Sequence, residues 1–317
     1  MSFLVVEKPG LLTTVQDAGR PRLAHLGISP AGAADDLAAK AANRLVGNRD
    51  SAAVLEMTWT GAQLAFHGPA VVAAVGAPMP LTIDGTPMPA GRAVQLKPGV
   101  KLVAGAARQG ARLYLAIRGG LEVPMTLGSA ATHLLSGLGN PGRALRAGDM
   151  IAFGAAGHDL GQAIDAPASR TRAFLAEAWS ARALAVTPGP QHDWFTRAAH
   201  DAIGIAEWTV HDHSDRLGIR LTGSTLDRTD DRELLTEGVL LGSIQVMPDG
   251  SPVILFVDQQ TTGGYPKIAT VASVDRHRLG QLRPRDTVRF EWVTFEEARQ
   301  RRAVRDASLD AALPPSP

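Results

Sequence analysis

Short runs of apolar and β-branched residues punctuate the first half of the chain, at residues 3–6, 63–66, 71–75, 81–83, 93–96, 101–104, 112–117 and 150–153. Gly or Pro bounds them, and a repeat of about 8–12 residues with turn-rich joints points to a barrel or sandwich rather than βαβ units. Helices are few. Residues 35–46 set Leu37, Ala41, Ala42 and Leu45 on one stripe with Gly47 as the stop. Residues 169–181 group Phe174, Leu175 and Trp179, and a last helix starts at Thr294, whose spacing to Glu297 matches a capping box. Beyond Arg305 the tail ends in Pro-Pro-Ser-Pro and is expected to fray.

A length of 317 residues, 45% of them hydrophobic, suggests two compact domains. The Gly- and Ala-rich stretch 154–168 divides them into an N-terminal β-barrel domain, 1–168, and a C-terminal β-barrel domain, 169–317. One internal echo supports two related halves: Leu145-Arg-Ala-Gly-Asp-Met-Ile-Ala-Phe153 parallels Leu282-Arg-Pro-Arg-Asp-Thr-Val-Arg-Phe290. The net charge of +1 comes from 32 basic and 31 acidic residues, so neither nucleic acid nor an anionic membrane is an expected partner. Absence of cysteine removes disulfides, thiol nucleophiles and Cys-ligated zinc, and fits a reducing compartment. The opening MSFLVVEKPG lacks a basic n-region and does not read as a signal peptide. The longest apolar run, 70–80, is too short for a bilayer and is broken by Gly76, Pro78 and Pro80. A soluble cytoplasmic protein is expected.

Chemistry concentrates in two segments. In the second half, strand-like runs 243–247 and 252–258 flank Pro248-Asp249-Gly250, a β-hairpin turn in which Pro pre-sets φ and Gly takes the positive φ. The second run empties into Gln259-Gln260-Thr261-Thr262-Gly263-Gly264-Tyr265-Pro266-Lys267. A tight turn accounts for the glycines but not for the Gln, Thr and Lys around them, whereas a ligand site accounts for both. In the first half, Gln16, Asp17 and Arg20 cluster after a strand-like run, and Gly32 and Asp35 sit at a helix entrance that favours an anion. Asp35 reads equally well as the plain N-cap, and Asn43, Asn48 and Glu56 as structural polar anchors.

Other motifs carry less. Gly137-Leu-Gly-Asn-Pro-Gly142 satisfies G-x-G-x-x-G, but Pro141 and the turn at Gly148 leave no helix to open there. Neither a phosphate-binding G-x-x-x-x-G-K-[ST] loop nor a G-x-S-x-G elbow occurs. His211-Asp-His213, in a strand, would set both imidazoles on one face, with Asp215 as a third ligand; a solvated surface is the plainer reading, and no metal is expected. His192-Asp193 reads as a helix entry.

Together the two segments carry a family resemblance. Thr14-Val-Gln-Asp-Ala-Gly-Arg20, Gly32-Ala-Ala-Asp35, Ala42-Asn-Arg-Leu-Val-Gly-Asn48, Leu127-Gly-Ser129, Gly189-Pro190, Gly242-Ser-Ile-Gln-Val246, Asp258 and above all Gln260-Thr-Thr-Gly-Gly-Tyr-Pro-Lys267 resemble the KipA/PxpC family. That family is also labelled allophanate hydrolase subunit 2 or biotin-dependent carboxyltransferase, and the match runs colinearly over about residues 10–290. Departures are Ala34 for Met, Ala130 for Arg, Asp215 for Asn, Ile219 for Tyr and Arg285 for Gly. The resemblance implies a cyclophilin-like β-barrel architecture and a companion subunit of the KipI/PxpB type. In bacterial 5-oxoprolinase such a pair works with a third subunit, PxpA, to open 5-oxo-L-proline to glutamate using ATP. In urea carboxylase a related pair of domains moves carboxylate from carboxybiotin to urea, and KipA itself implies a third role, as a regulatory partner-binding protein.

Each enzymatic reaction must hold a planar amide and stabilise charge on its oxygen. On that basis Gln245 offers donor and acceptor to the amide edge, and Thr261, Thr262 and the N–H groups of Gly263 and Gly264 form a cradle. Lys267 is expected as the point charge, Asp258 and Asp35 as candidate bases, and Tyr265, Gln16 and Asp17 as further substrate contacts. The chain is expected to be inactive alone.

Overall fold

The protein is described by a computed structural model covering residues 2–154, 168–180 and 182–315. Most of the expected boundary stretch, 155–167, therefore lies outside the described residues. The chain divides into two compact units, one of Met1–Arg20, Ala31–Ala178 and Ala307–Pro317, the other of Pro21–Pro30 and Trp179–Asp306.

The first unit contains β1 (Ser2–Lys8), β2 (Leu12–Gln16), α1 (Asp36–Leu45), β3 (Val54–Thr58), β4 (Gln63–His67), β5 (Ala70–Gly76), β6 (Leu81–Ile83), β7 (Thr86–Pro87), β8 (Val94–Leu96), β9 (Lys101–Ala104), β10 (Arg112–Ile117), β11 (Met150–Phe153) and α2 (Ala168–Ala178). Two sheets form, in the orders β11-β1-β4-β9-β6-β7 and β2-β3-β10-β5-β8. Alternating side chains meet in one core: Leu4, Val6, Leu64, Phe66 and Leu102 from the first sheet, and Val15, Leu55, Met57, Leu113, Leu115 and Val72 from the second. β10 is buried at every position because α1 packs over its other face. Beneath that helix the polar anchor Glu56 accepts from the Tyr114 hydroxyl (2.8 Å) and the Ala34 N–H (2.9 Å). Burial first, and the Glu56 charge second, push the Tyr114 phenol well up.

The second unit contains β12 (Leu184–Pro188), α3 (Arg197–Ile205), β13 (Trp208–Val210), β14 (Gly218–Thr222), β15 (Glu237–Gly238), β16 (Ser243–Val246), β17 (Pro252–Leu255), β18 (Thr262–Gly263), β19 (Lys267–Val271), α4 (Arg276–Leu279), β20 (Thr287–Val288) and β21 (Phe290–Trp292). Its eight-stranded sheet runs β20-β13-β14-β17-β16-β19-β12-β21. The first and last strands of that order are separated in the chain by Arg289 alone, so the sheet curls until its edges nearly meet. The mainly β, barrel-like architecture expected from the sequence is what forms. A final helix, α5 (Phe295–Ala312), contributes to both units.

Several local expectations change. α5 continues past Arg305 instead of fraying, because Leu309 and Leu313 are buried and the Arg44 guanidinium donates to Asp310 (2.7 Å) and to the Leu313 carbonyl (2.7 Å). His211-Asp-His213 is a turn, not a strand: β13 ends at Val210, and the His213 N–H donates to His211 Nδ1 at 3.1 Å. The run 252–258 stops being a strand after Leu255, opposite Gly218 where β14 begins, and the Gln259 N–H closes a turn onto the Phe256 carbonyl (3.0 Å). Among the described residues no helix is long and apolar enough to cross a membrane, and no group of three or more His, Asp or Glu side chains is placed to hold a metal ion.

Candidate functional site

Two of the expected site residues of the second unit, Gln245 and Lys267, meet in one register. β16 pairs antiparallel with β19, and a bulge after Ile244 sets Gln245 opposite Lys267. Both side chains are buried. Gln245 Nε2 and Lys267 Nζ each donate to the Tyr265 carbonyl, both at 3.4 Å. A Cβ at Gly263 would stand 2.6 Å from Gln245 Nε2, so any larger residue there would displace the Gln245 carboxamide. Gly264 has no such demand, its nearest neighbours lying 3.5 Å from a Cβ.

Two residues not expected from the sequence complete the cluster. Glu237 enters on β15, which pairs with β18 through Glu237↔Gly263 and Gly238↔Thr262. Its Oε1 accepts from Lys267 Nζ at 2.7 Å and from Gln191 Nε2 at 2.9 Å. Gln191 in turn accepts the Lys267 N–H on Oε1 (3.2 Å), so one carboxamide fixes both members of the ion pair. Bonding to Lys267, then to Gln191, holds the Glu237 carboxyl below the usual carboxylate range. The pair is lopsided: the Lys267 side chain is 2% exposed and that of Glu237 39%. Gln191 follows the Gly189-Pro190 pair already singled out, and Gly189 lies so close to β19 that a Cβ would sit 2.2 Å from the Lys267 carbonyl. Glu237 gave no signal, because a two-residue strand is too short to show a period.

The turn continues outward. Thr262 and Tyr265 are exposed, Thr261 and Gly264 half-buried. Gly264, Tyr265 and Pro266 also line a cavity of about 860 Å³ whose charged lining is Asp227, Asp231, Glu233 and Asp249 against Arg228. Asp258 is held in a buried ion pair: Arg216 Nε donates to Oδ2 at 2.8 Å and the Arg216 terminal nitrogen to Oδ1 at 3.1 Å.

The remaining expected residues belong to the first unit. Asp35 is the N-cap of α1, its carboxylate accepting from the Ala38 N–H at 2.9 Å. Asp17 accepts from the Gly19 N–H (2.7 Å), the Ser129 hydroxyl (2.6 Å) and the Ala130 N–H (2.7 Å). Gln16 donates to the Thr14 hydroxyl and the Thr132 carbonyl, both at 3.0 Å. These bonds lock loops together, and each group is buried.

Comparison with known proteins bears on this site. The family model described as a carboxyltransferase domain, subdomain A and B, matches residues 26–292. The C-type subunit of the 5-oxoprolinase of Escherichia coli (strain K12) is 37% identical over 297 residues, which is 93% of this chain and 93% of that protein. The urea amidolyase of Lachancea kluyveri is 31% identical over 96% of this chain but only 18% of its own length. In structure, the urea carboxylase of Kluyveromyces lactis superposes with a TM-score of 0.88 at 29% identity, over 98% of this chain and 29% of that one. The chain thus spans less than a third of either urea enzyme.

Proposed function

The chain belongs to the carboxyltransferase domain family, subdomains A and B, and from that premise we propose that it is a subunit of a heteromeric, ATP-dependent 5-oxoprolinase that opens 5-oxo-L-proline to L-glutamate. The observation that carries this reading is likeness: identity to a C-type 5-oxoprolinase subunit is 37% over 93% of that protein, against 31% to a urea amidolyase.

Within this chain, the turn 259–267 is assigned to amide handling. Exposed Thr262, half-buried Thr261 and Gly264, and Tyr265 contact the substrate. Gln245 holds the turn through the Tyr265 carbonyl. Lys267 supports the site from beneath, because an ammonium 2% exposed and bonded to Glu237 is not placed to meet a phosphate or carboxylate. Asp258, held at two points by Arg216, orients the chain entering the turn.

ATP supplies the driving force of such a ring opening, and the residues near this turn do not fit it. The adjoining cavity sets four carboxylates against one guanidinium, which repels a triphosphate. Nucleotide handling is therefore assigned to a companion subunit, of the KipI/PxpB type with a PxpA-type third member. The test is reconstitution: the chain co-purified with its companions should hydrolyse 5-oxo-L-proline only with ATP present, and not when this chain is omitted. Full turnover without it, or tight association that adds no turnover, would refute the reading, the latter in favour of a regulatory partner.

A second reading is carboxyl transfer from carboxybiotin to urea, favoured by the TM-score of 0.88 to a urea carboxylase. Carboxylation of urea by the same complex supplied with a carboxybiotin carrier would favour it.

A further inference from the structure

The cluster beneath the turn has one group turned to solvent, and it is not the lysine. Glu237 spends Oε1 on two donors, Lys267 Nζ and Gln191 Nε2, while Oε2 receives no bond among the described residues. Its carboxyl is held ionised by those donors, and its side chain is the half-exposed member of the pair. The buried side chains behind it fix its direction, and Glu237 lies opposite Gly263, inside the turn assigned to amide handling.

Resting on that assignment, we propose that Glu237 is the substrate-recognition residue of this chain, with Oε2 accepting the N–H of an amide held cis. A lactam, locked by its ring, and a urea present N–H and C=O on one edge. A secondary open-chain amide is overwhelmingly trans and presents them on opposite edges. An ionised acceptor opposite Gly263, on the face of the ladder where the exposed Gln260 carboxamide brings its Nε2 to 3.6 Å from where a Gly263 Cβ would stand, matches the first geometry and not the second. Because its proton affinity is lowered, Glu237 acts as a fixed acceptor that orients the amide rather than as a general base. Lys267 and Gln191 are positioning residues for it.

The test is saturation-transfer NMR on the purified full-length chain, with 2-pyrrolidinone as the cis probe and N-methylacetamide as the trans probe. Wild-type protein should bind the lactam at least about tenfold more tightly than the open-chain amide. Glu237→Gln should lose that preference, since Lys267 will claim the amide oxygen and leave an NH₂ donor where Oε2 stood. Circular dichroism and the melting temperature, unchanged in the variant, would show that it folds. Equal binding of the two probes, no saturable lactam binding, or an undiminished preference in Glu237→Gln would each overturn the assignment. The readout needs no turnover, so a complex that fails to hydrolyse 5-oxo-L-proline would refute the functional reading and leave this result standing.

Discussion

At the residue scale, the contrast between Lys267 and Glu237 decides how substitutions should behave. Lys267→Ala removes a buried stem and ammonium and takes one donor from the Glu237 carboxylate and one from the Tyr265 carbonyl. It should cost about 2–4 kcal/mol and lower the melting temperature, besides impairing function. Glu237→Gln keeps an acceptor oxygen at a half-exposed position and should shift stability by less than about 1 kcal/mol. A second outcome concerns pH. The folded-state affinity of Glu237 for a proton is lowered by Lys267 and Gln191, so its contribution is complete above the unfolded value of about 4.3 and is lost as pH falls through the lower folded one. Lactam binding should therefore be flat from pH 8 to pH 5 and weaken only as the pH falls past the ordinary glutamate range. A binding titration with its midpoint near pH 6 would show that some other group is responsible. Two departures from the family pattern prove structural at this scale: Ala130 is used through its backbone N–H, which donates to Asp17, and Ile219 is a core residue of β14.

At the scale of elements, the internal echo becomes two matching turns. In the first unit the Arg146 N–H donates to Asp149 Oδ2 at 2.8 Å and the Asp149 N–H to the Arg146 carbonyl at 3.1 Å. In the second unit the Arg283 N–H donates to Asp286 Oδ2 at 2.8 Å and the Asp286 N–H to the Arg283 carbonyl at 3.1 Å. The left-handed position is Gly148 (φ 90°) in one and Arg285 (φ 73°) in the other. An arginine there is strained, and its exposed pairing with Asp212 at 3.5 Å returns little. Arg285→Gly should raise the denaturation midpoint by the equivalent of about 0.5–1 kcal/mol, and a fall would show that the turn is not strained. What the sequence reveals at this level is whatever is local. The α1 stripe and the Thr294–Glu297 capping box both form, the box with Thr294 N–H to Glu297 Oε2 at 2.8 Å and Glu297 N–H to Thr294 Oγ1 at 3.1 Å. The persistence of α5 was hidden because its anchor, Arg44, lies 266 positions from Asp310. β15 was hidden too, being two residues long and paired, among the described residues, with the distant β18 alone.

At the scale of the whole molecule, the β-rich character and the glycine-softened turn were both readable, since each rests on neighbouring residues. The way the units are threaded was not. Pro21–Pro30 counts with the second unit, where the Ser29 hydroxyl donates to the Val257 carbonyl at 2.9 Å, and Ala307–Pro317 counts with the first. Fragments 1–168 and 169–317, expressed separately, would each lack a piece of their own unit. They should be less soluble and melt less cooperatively than the intact chain, and recover when mixed; two independently well-folded fragments would contradict the threading. The curled sheet of the second unit bears on recruitment. Among the described residues its two edge strands are β20 and β21, of two and three residues, too brief a rail for a foreign strand to zip onto. A companion polypeptide of the kind proposed would grip the eight-stranded sheet by its loops and side chains rather than by lengthening its backbone ladder.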